Sequence, residues 1–161
     1  MLHLKTADGA RLEIPATAII AVMKPSDGVN PCAIIFDMGA GPQVDQLSDQ
    51  YGFVKKLAND GQALVNPIEL RIIEQLNVGD GAEAMTAHGE GRIFFARDRI
   101  SGRREVKGDP HGINATIYVN LFGQPTSISV ADTLDEMDGV EPTPAPARKV
   151  RATQPKIKAG E

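Results

Sequence analysis

Thr6-Ala7-Asp8-Gly9-Ala10-Arg11-Leu12-Glu13-Ile14, closing at Ala18-Ile19, is answered later in the chain by Thr86-Ala87-His88-Gly89-Glu90-Gly91-Arg92-Ile93-Phe94-Phe95, closing at Arg99-Ile100. The echo continues with Gly28-Val29-Asn30 against Gly112-Ile113-Asn114, Ile34 against Ile117, Pro42 against Pro125 and Asp49 against Asp132. The offset drifts from about 80 to about 84 residues, and the repetition implies two copies of one small β-rich unit. Ile14 and Phe95, Ile19 and Ile100, and Ile34 and Ile117 are then expected at equivalent places, because a one-residue slip would turn a strand's core face outward.

In the first copy Leu2, Leu4 and Thr6 alternate with His3 and Lys5, Asp8-Gly9 supplies a tight turn, and Arg11 to Ile14 alternates again, which predicts a hairpin. Pro15 ends that strand. Ile19, Ile20 and Val22 form a third apolar run, Pro25 to Gly28 a turn, Cys32 to Phe36 a fourth strand, and Gly39 to Pro42 a turn before a short strand near Val44. Ser48 is placed to cap a helix in which Phe53, Val54 and Leu57 share a face and which ends at Asn59-Asp60-Gly61.

Asn66-Pro67 can start a second helix, with Ile68, Ile72, Ile73 and Leu76 as its apolar stripe, and a strand over Leu70 to Ile73 is the alternative. Gly79-Asp80-Gly81 is expected to separate the copies. In the second copy Gly89-Glu90-Gly91 stands where the Asp-Gly turn stood, and Arg92 to Ala96 is the next strand. After the loop Gly108 to Gly112, Ile117, Val119 and Leu121 alternate with Tyr118 and Asn120, Ser127 to Val130 is a last strand, and Leu134 with Met137 suggests a brief helix.

A chain of 161 residues holds one ordinary domain or two small ones, and domains of about 60 residues bury only about 60% of their unfolded surface, so mutual packing is needed. Aromatics are 4% with no Trp, which leaves the core to aliphatic residues and five Phe. The single Cys32 fits a small buried hydrophobe in a reducing compartment. No apolar run reaches the roughly 20 residues that cross a bilayer, and the N-terminus lacks a signal-peptide pattern, so a soluble protein of cytoplasm or virion, not secreted by a signal peptide, is expected.

The charge of −4 is unevenly placed: residues 141–161 carry five Lys or Arg against two Glu, a net +3, which leaves −7 on residues 1–140. An acidic body disfavours nucleic acid. The end of the chain, with four prolines and no aromatic residue, reads as an extended arm that orders only on a partner.

Candidate chemistry is sparse. Gly39-Ala40-Gly41-Pro42 lacks the Lys-Ser/Thr of a phosphate loop, His3, His88 and His111 lack metal-ligand spacing, and Asp109-Pro110-His111-Gly112 reads as turn chemistry. The acidic residues Asp45, Asp49, Asp132, Asp135, Glu136 and Asp138 read as exposed or capping positions. No catalytic residue, cofactor or metal is expected. The basic cluster Arg92, Arg97, Arg99, Arg103, Arg104 and Lys107 is a candidate partner surface, diluted by Glu90, Asp98 and Glu105. Adjacent Phe94 and Phe95 put one ring outside its own unit's core, for the other copy or a partner. Arg148, Lys149, Arg151, Lys156 and Lys158 complete the partner-binding set.

Leu4, Asp8-Gly9, Ile14, Ile19-Ile20-Ala21-Val22, Gly28 and Phe53 to Leu57 together resemble the short FlbD-like proteins of flagellar operons, over about the first 60 residues. The same pattern is similar, more weakly, to the β core of LytTR-type DNA-binding domains. Both resemblances rest on core and turn positions and transfer no binding residue. The expected fold class is mainly β with short helices (α+β): two small SH3-like or FlbD-like β units in tandem plus an extended C-terminal arm. Its parts are a first unit 1–62, a connecting helix or strand and linker 63–80, a second unit 81–140, and the Pro-rich basic arm 141–161. The expected function is non-enzymatic assembly or adaptor work through exposed β edges and the arm, with protein partners, self-association and no membrane, in a setting such as a phage virion. A regulator binding DNA or the transcription machinery is the alternative.

Overall fold

The computed structural model describes residues 1–78 and 85–140. Gly79-Asp80-Gly81 and the arm 141–161 with its five basic residues lie outside the described residues. The protein is mainly β, with two short helices. One order of elements runs through it twice. A hairpin of β1 (Leu2–Lys5) and β2 (Arg11–Ile14) leads through a 3₁₀ turn at Ala16–Ala18 into β3 (Ile19–Lys24), β4 (Cys32–Asp37), β5 (Pro42–Leu47) and α1 (Tyr51–Asp60). A longer hairpin of β6 (Pro67–Val78) and β7 (Met85–Ala96) leads through a 3₁₀ turn at Arg97–Arg99 into β8 (Ile100–Glu105), β9 (Ala115–Asn120), β10 (Pro125–Val130) and α2 (Leu134–Met137).

The pairing repeats as well. Leu2↔Ile14 and Lys5↔Arg11 in the first hairpin correspond to Ile68↔Phe95 and Arg71↔Arg92 in the second. Val22↔Ile34 corresponds to Arg103↔Ile117, and each of these pairings carries a register shift at the same place, after Ile19 and after Ile100. Thr6↔Leu47 and Ile72↔Val130 are the corresponding bridges that tie each hairpin to the last strand of its half.

The halves do not form separate sheets. Eight strands make one sheet in the order β5-β4-β3-β7-β6-β10-β9-β8, with β1-β2 as a two-stranded sheet held to β5 by the Thr6↔Leu47 bridge. The join is β3 against β7, with Ala21↔Phe95, Val22↔Phe94, Met23↔Ile93 and Lys24↔Arg92. Both seam strands feed two cores, as expected for strands covered on both faces. One cluster gathers Leu4, Ile14, Val22, Ile34, Leu47 and Val54 and takes Phe94 and Ala96 from β7. The other gathers Leu70, Ile93, Phe95, Ile117, Val119 and Val130 and takes Ile20, Ala21 and Ile35 from the first half.

Four local expectations change. The stretch from Pro67 is strand, not helix, because Ile68, Leu70 and Ile72 are buried at period two while Asn66, with φ +48°, makes the turn into it. Gly89-Glu90-Gly91 is not a turn but the middle of β7. Glycine is required there because the chain at Lys24 to Ser26 crosses it: a Cβ on Gly91 would lie 2.3 Å from the Lys24 carbonyl oxygen, and one on Gly89 2.5 Å from that of Ser26. Ser48 does not cap α1. Its N–H donates to the Lys5 carbonyl at 2.9 Å, and Gln50 occupies the cap position without a side-chain bond. On α1 itself Val54 is buried while Phe53 faces solvent.

Candidate protein-binding edges

The two halves are stitched by a polar cluster on the first core's flank. Tyr51 Oη donates to Glu69 Oε2 at 2.6 Å, Lys55 Nζ to the same oxygen at 2.9 Å, and Arg92 lies 3.5 Å from Oε1. Lys55 also sits 5.2 Å from the centre of the Phe94 ring. Burial pushes the Glu69 carboxyl up, but the Tyr51 and Lys55 hydrogen bonds and the charges of Lys55 and Arg92 outweigh it and hold the group below the usual range. Burial, reinforced by Glu69, pushes the Tyr51 phenol far up.

The proposed partner residues are dispersed by the fold. Phe94 is 6% exposed and packed in the first core, so its partner is the other half of the same chain and it is closed to an external one. The physical reason is the β3·β7 join, which covers the face of β7 that an isolated unit would leave open. The arginines are largely occupied within the chain. Arg92 meets Glu69; Arg97 donates to the Met137 carbonyl at 2.9 Å; Arg99 donates to the Asn120 carbonyl at 3.1 Å. Arg103 meets Asp138 at 2.7 Å, and Lys107 approaches Glu105 at 3.8 Å. Arg104 alone of the cluster has no side-chain partner among the described residues.

A groove of about 940 Å³ lies beside the seam, where the two 3₁₀ turns approach each other through Ala18, Ile19, Arg99 and Ile100. Of its polar groups, Asp37 Oδ1 accepts the Gly39 and Gly41 amides, Ser101 Oγ donates to the Tyr118 carbonyl, and Arg99 holds the Asn120 carbonyl, while Thr17 and Asp98 also line it.

Other candidates resolve into structure. Asp109 Oδ2 accepts the amides of Ile113 and His111, which hold its carboxyl below the usual range and close the turn read from the sequence. Sequence distance concealed one contact: His88 and His111 stack with ring centres 3.5 Å apart. Among the described residues no three His, Cys, Asp or Glu side chains are grouped to hold a metal ion. Cys32 is fully buried, and burial pushes its thiol up to about 12. No described helix is long and apolar enough to cross a membrane.

What remains open is strand edge. Counting the Thr6↔Leu47 bridge, the strands run β2-β1-β5-β4-β3 and then β7-β6-β10-β9-β8, the same order in each half. Among the described residues the two ends, β2 and β8, have no strand on their outer sides. Unpaired edges of this kind are templates for a further strand. No family model, no curated protein and no solved structure matches this chain.

Proposed function

We propose that this is a non-enzymatic assembly protein that binds protein partners by strand pairing at its open sheet edges, in a multi-copy setting such as a phage virion. The observation that carries the reading is the β3·β7 join, in which the chain already uses edge-to-edge pairing to fuse two halves into one sheet. The arm 141–161, with Arg148, Lys149, Arg151, Lys156 and Lys158, adds basic contact area for an acidic partner surface. A nucleic-acid regulator would need the arginine cluster facing phosphate, whereas Arg92, Arg97, Arg99 and Arg103 hold carboxylates or carbonyls of the chain itself.

The test is amide exchange of the chain alone and within the assembly isolated from its native source. Protection gained at β2 or β8 on assembly is expected. Assembly with no change at either edge strand would overturn the reading.

A further inference from the structure

We propose that the partner of the open edges is a second copy of this chain, with β8 of one copy pairing antiparallel to β2 of the next. The inference rests on the edge-pairing reading above and deepens it. Its basis is the repeated order of elements. β8 is the second half's counterpart of β3, since each follows the 3₁₀ turn and pairs with the next strand through a register shift at the same place. β2 is the first half's counterpart of β7, since Ile14 and Phe95 each stand immediately before the residue that caps that turn. Within the chain β3 has found β7. The same seam between copies would join β8 and β2, which have no strand on their outer sides among the described residues.

The register is fixed by the counterpart residues. Ala21↔Phe95, Val22↔Phe94, Met23↔Ile93 and Lys24↔Arg92 translate into Gly102↔Ile14, Arg103↔Glu13, Arg104↔Leu12 and Glu105↔Arg11. Two of the four translated pairs bring opposite charges together. Gly102 offers no side chain to the buried Ile14, and the Arg104 stem can lie along Leu12 with its charge in water. Three of the four pairs of the intramolecular seam are apolar, while two of the four here join opposite charges, which suits an edge that must stay unpaired until its complement arrives. Because the two edges differ, the contact is heterologous, and repeated pairing closes a ring or extends a filament.

Arg11 and Glu105 carry the test, because they are 85% and 61% exposed and neither contributes to a core. Arg103 is less suitable because it already holds Asp138. Sedimentation of the full chain across concentration should show mass rising above 17.2 kDa, and falling again as salt screens the pairs. Arg11→Glu places like charges opposite each other and should weaken association by about tenfold, and adding Glu105→Arg should restore it. A chain that stays at monomer mass, or an association that Arg11→Glu weakens and Glu105→Arg fails to rescue, overturns the proposal. If the isolated chain is monomeric while β2 or β8 still gains protection in the native assembly, self-pairing fails and the edge reading stands.

Discussion

Asp49 and Asp132 make the same bond in the two halves: Asp49 Oδ2 accepts the Lys5 amide at 2.8 Å, and Asp132 Oδ1 accepts the Arg71 amide at 2.6 Å. Each carboxylate follows the last strand of its half and locks it to the opening hairpin. Lys5 and Arg71 are themselves counterparts, paired with Arg11 and Arg92. The fold therefore repeats down to a single side-chain hydrogen bond.

Replacing either aspartate by alanine should leave a backbone amide short of its acceptor and cost about 1–3 kcal/mol. Asp132→Ala should cost more, because the Asp132 side chain is only 16% exposed and also meets Arg71 at 3.5 Å. Urea midpoints at unchanged slope measure both. Equal and negligible losses would show that the bonds are incidental.

The Glu69 cluster gives a pH signature. A carboxyl held below its unfolded value stabilises the fold fully above that value, about 4.3, and loses the contribution as pH falls through the lower, folded value. Glu69→Gln should thus be less stable than the parent at pH 7, by about 1–3 kcal/mol, with the gap closing as the medium is acidified below pH 4. Thermal unfolding of both proteins from pH 7 downward is the check, and a gap independent of pH would contradict it.

Gly91→Ala should destabilise by about 1–3 kcal/mol, because its methyl group would lie 2.3 Å from the Lys24 carbonyl oxygen and the crossing chain must move. Gly39→Ala offers a contrast, since nothing lies within 4 Å and its cost comes only from the φ of +105°. Amide exchange distinguishes them: Gly91→Ala should also loosen amides on β3, which Gly39→Ala should leave protected.

The seam should make the two halves unfold together. Phe94→Ala removes a ring that β7 inserts into the first core and should cost about 3–5 kcal/mol. Val22 lies directly opposite, so the double variant Phe94→Ala, Val22→Ala should cost measurably less than the two single changes combined. Strictly additive losses, or two separate unfolding transitions in the parent, would mean that the halves are independent.

Much of this was legible in the sequence because it is written locally. Asp8-Gly9 announced the first hairpin, Asn59 to Gly61 the end of α1, and the echoes at Ile14 and Phe95, Ile19 and Ile100, Ile34 and Ile117, and Asp49 and Asp132 fall at corresponding places in the two halves. Pro67 to Val78 misled because Ile68 and Ile72 satisfy a helical and a strand period alike; the buried Leu70 between outward Glu69 and Arg71 carries the strand signal. Gly89 and Gly91 misled because glycine serves a turn and a close crossing equally, and only the fold shows Lys24 to Ser26 passing over them. The seam left a faint trace. The unbroken apolar run Ile19 to Val22 and the adjacent Phe94 and Phe95 mark strands buried on both faces, but which strand meets which depends on contacts distant in the chain. Exposed edges were expected, but which strands keep them was invisible for the same reason.

Disulfide trapping between two single-cysteine variants tests the edge account most directly. Directly opposed residues on paired strands have Cβ atoms about 4.5–5.5 Å apart, close enough for a disulfide with slight adjustment. Cys32, buried and with its thiol pushed up to about 12, stays out of the reaction. Arg11→Cys and Glu105→Cys, mixed and gently oxidised, should give a covalent dimer that neither variant forms alone, because β2 meets β8 and not its own copy. Equal yields from the mixture and from either variant alone, or no dimer at any concentration, would contradict the β8·β2 seam.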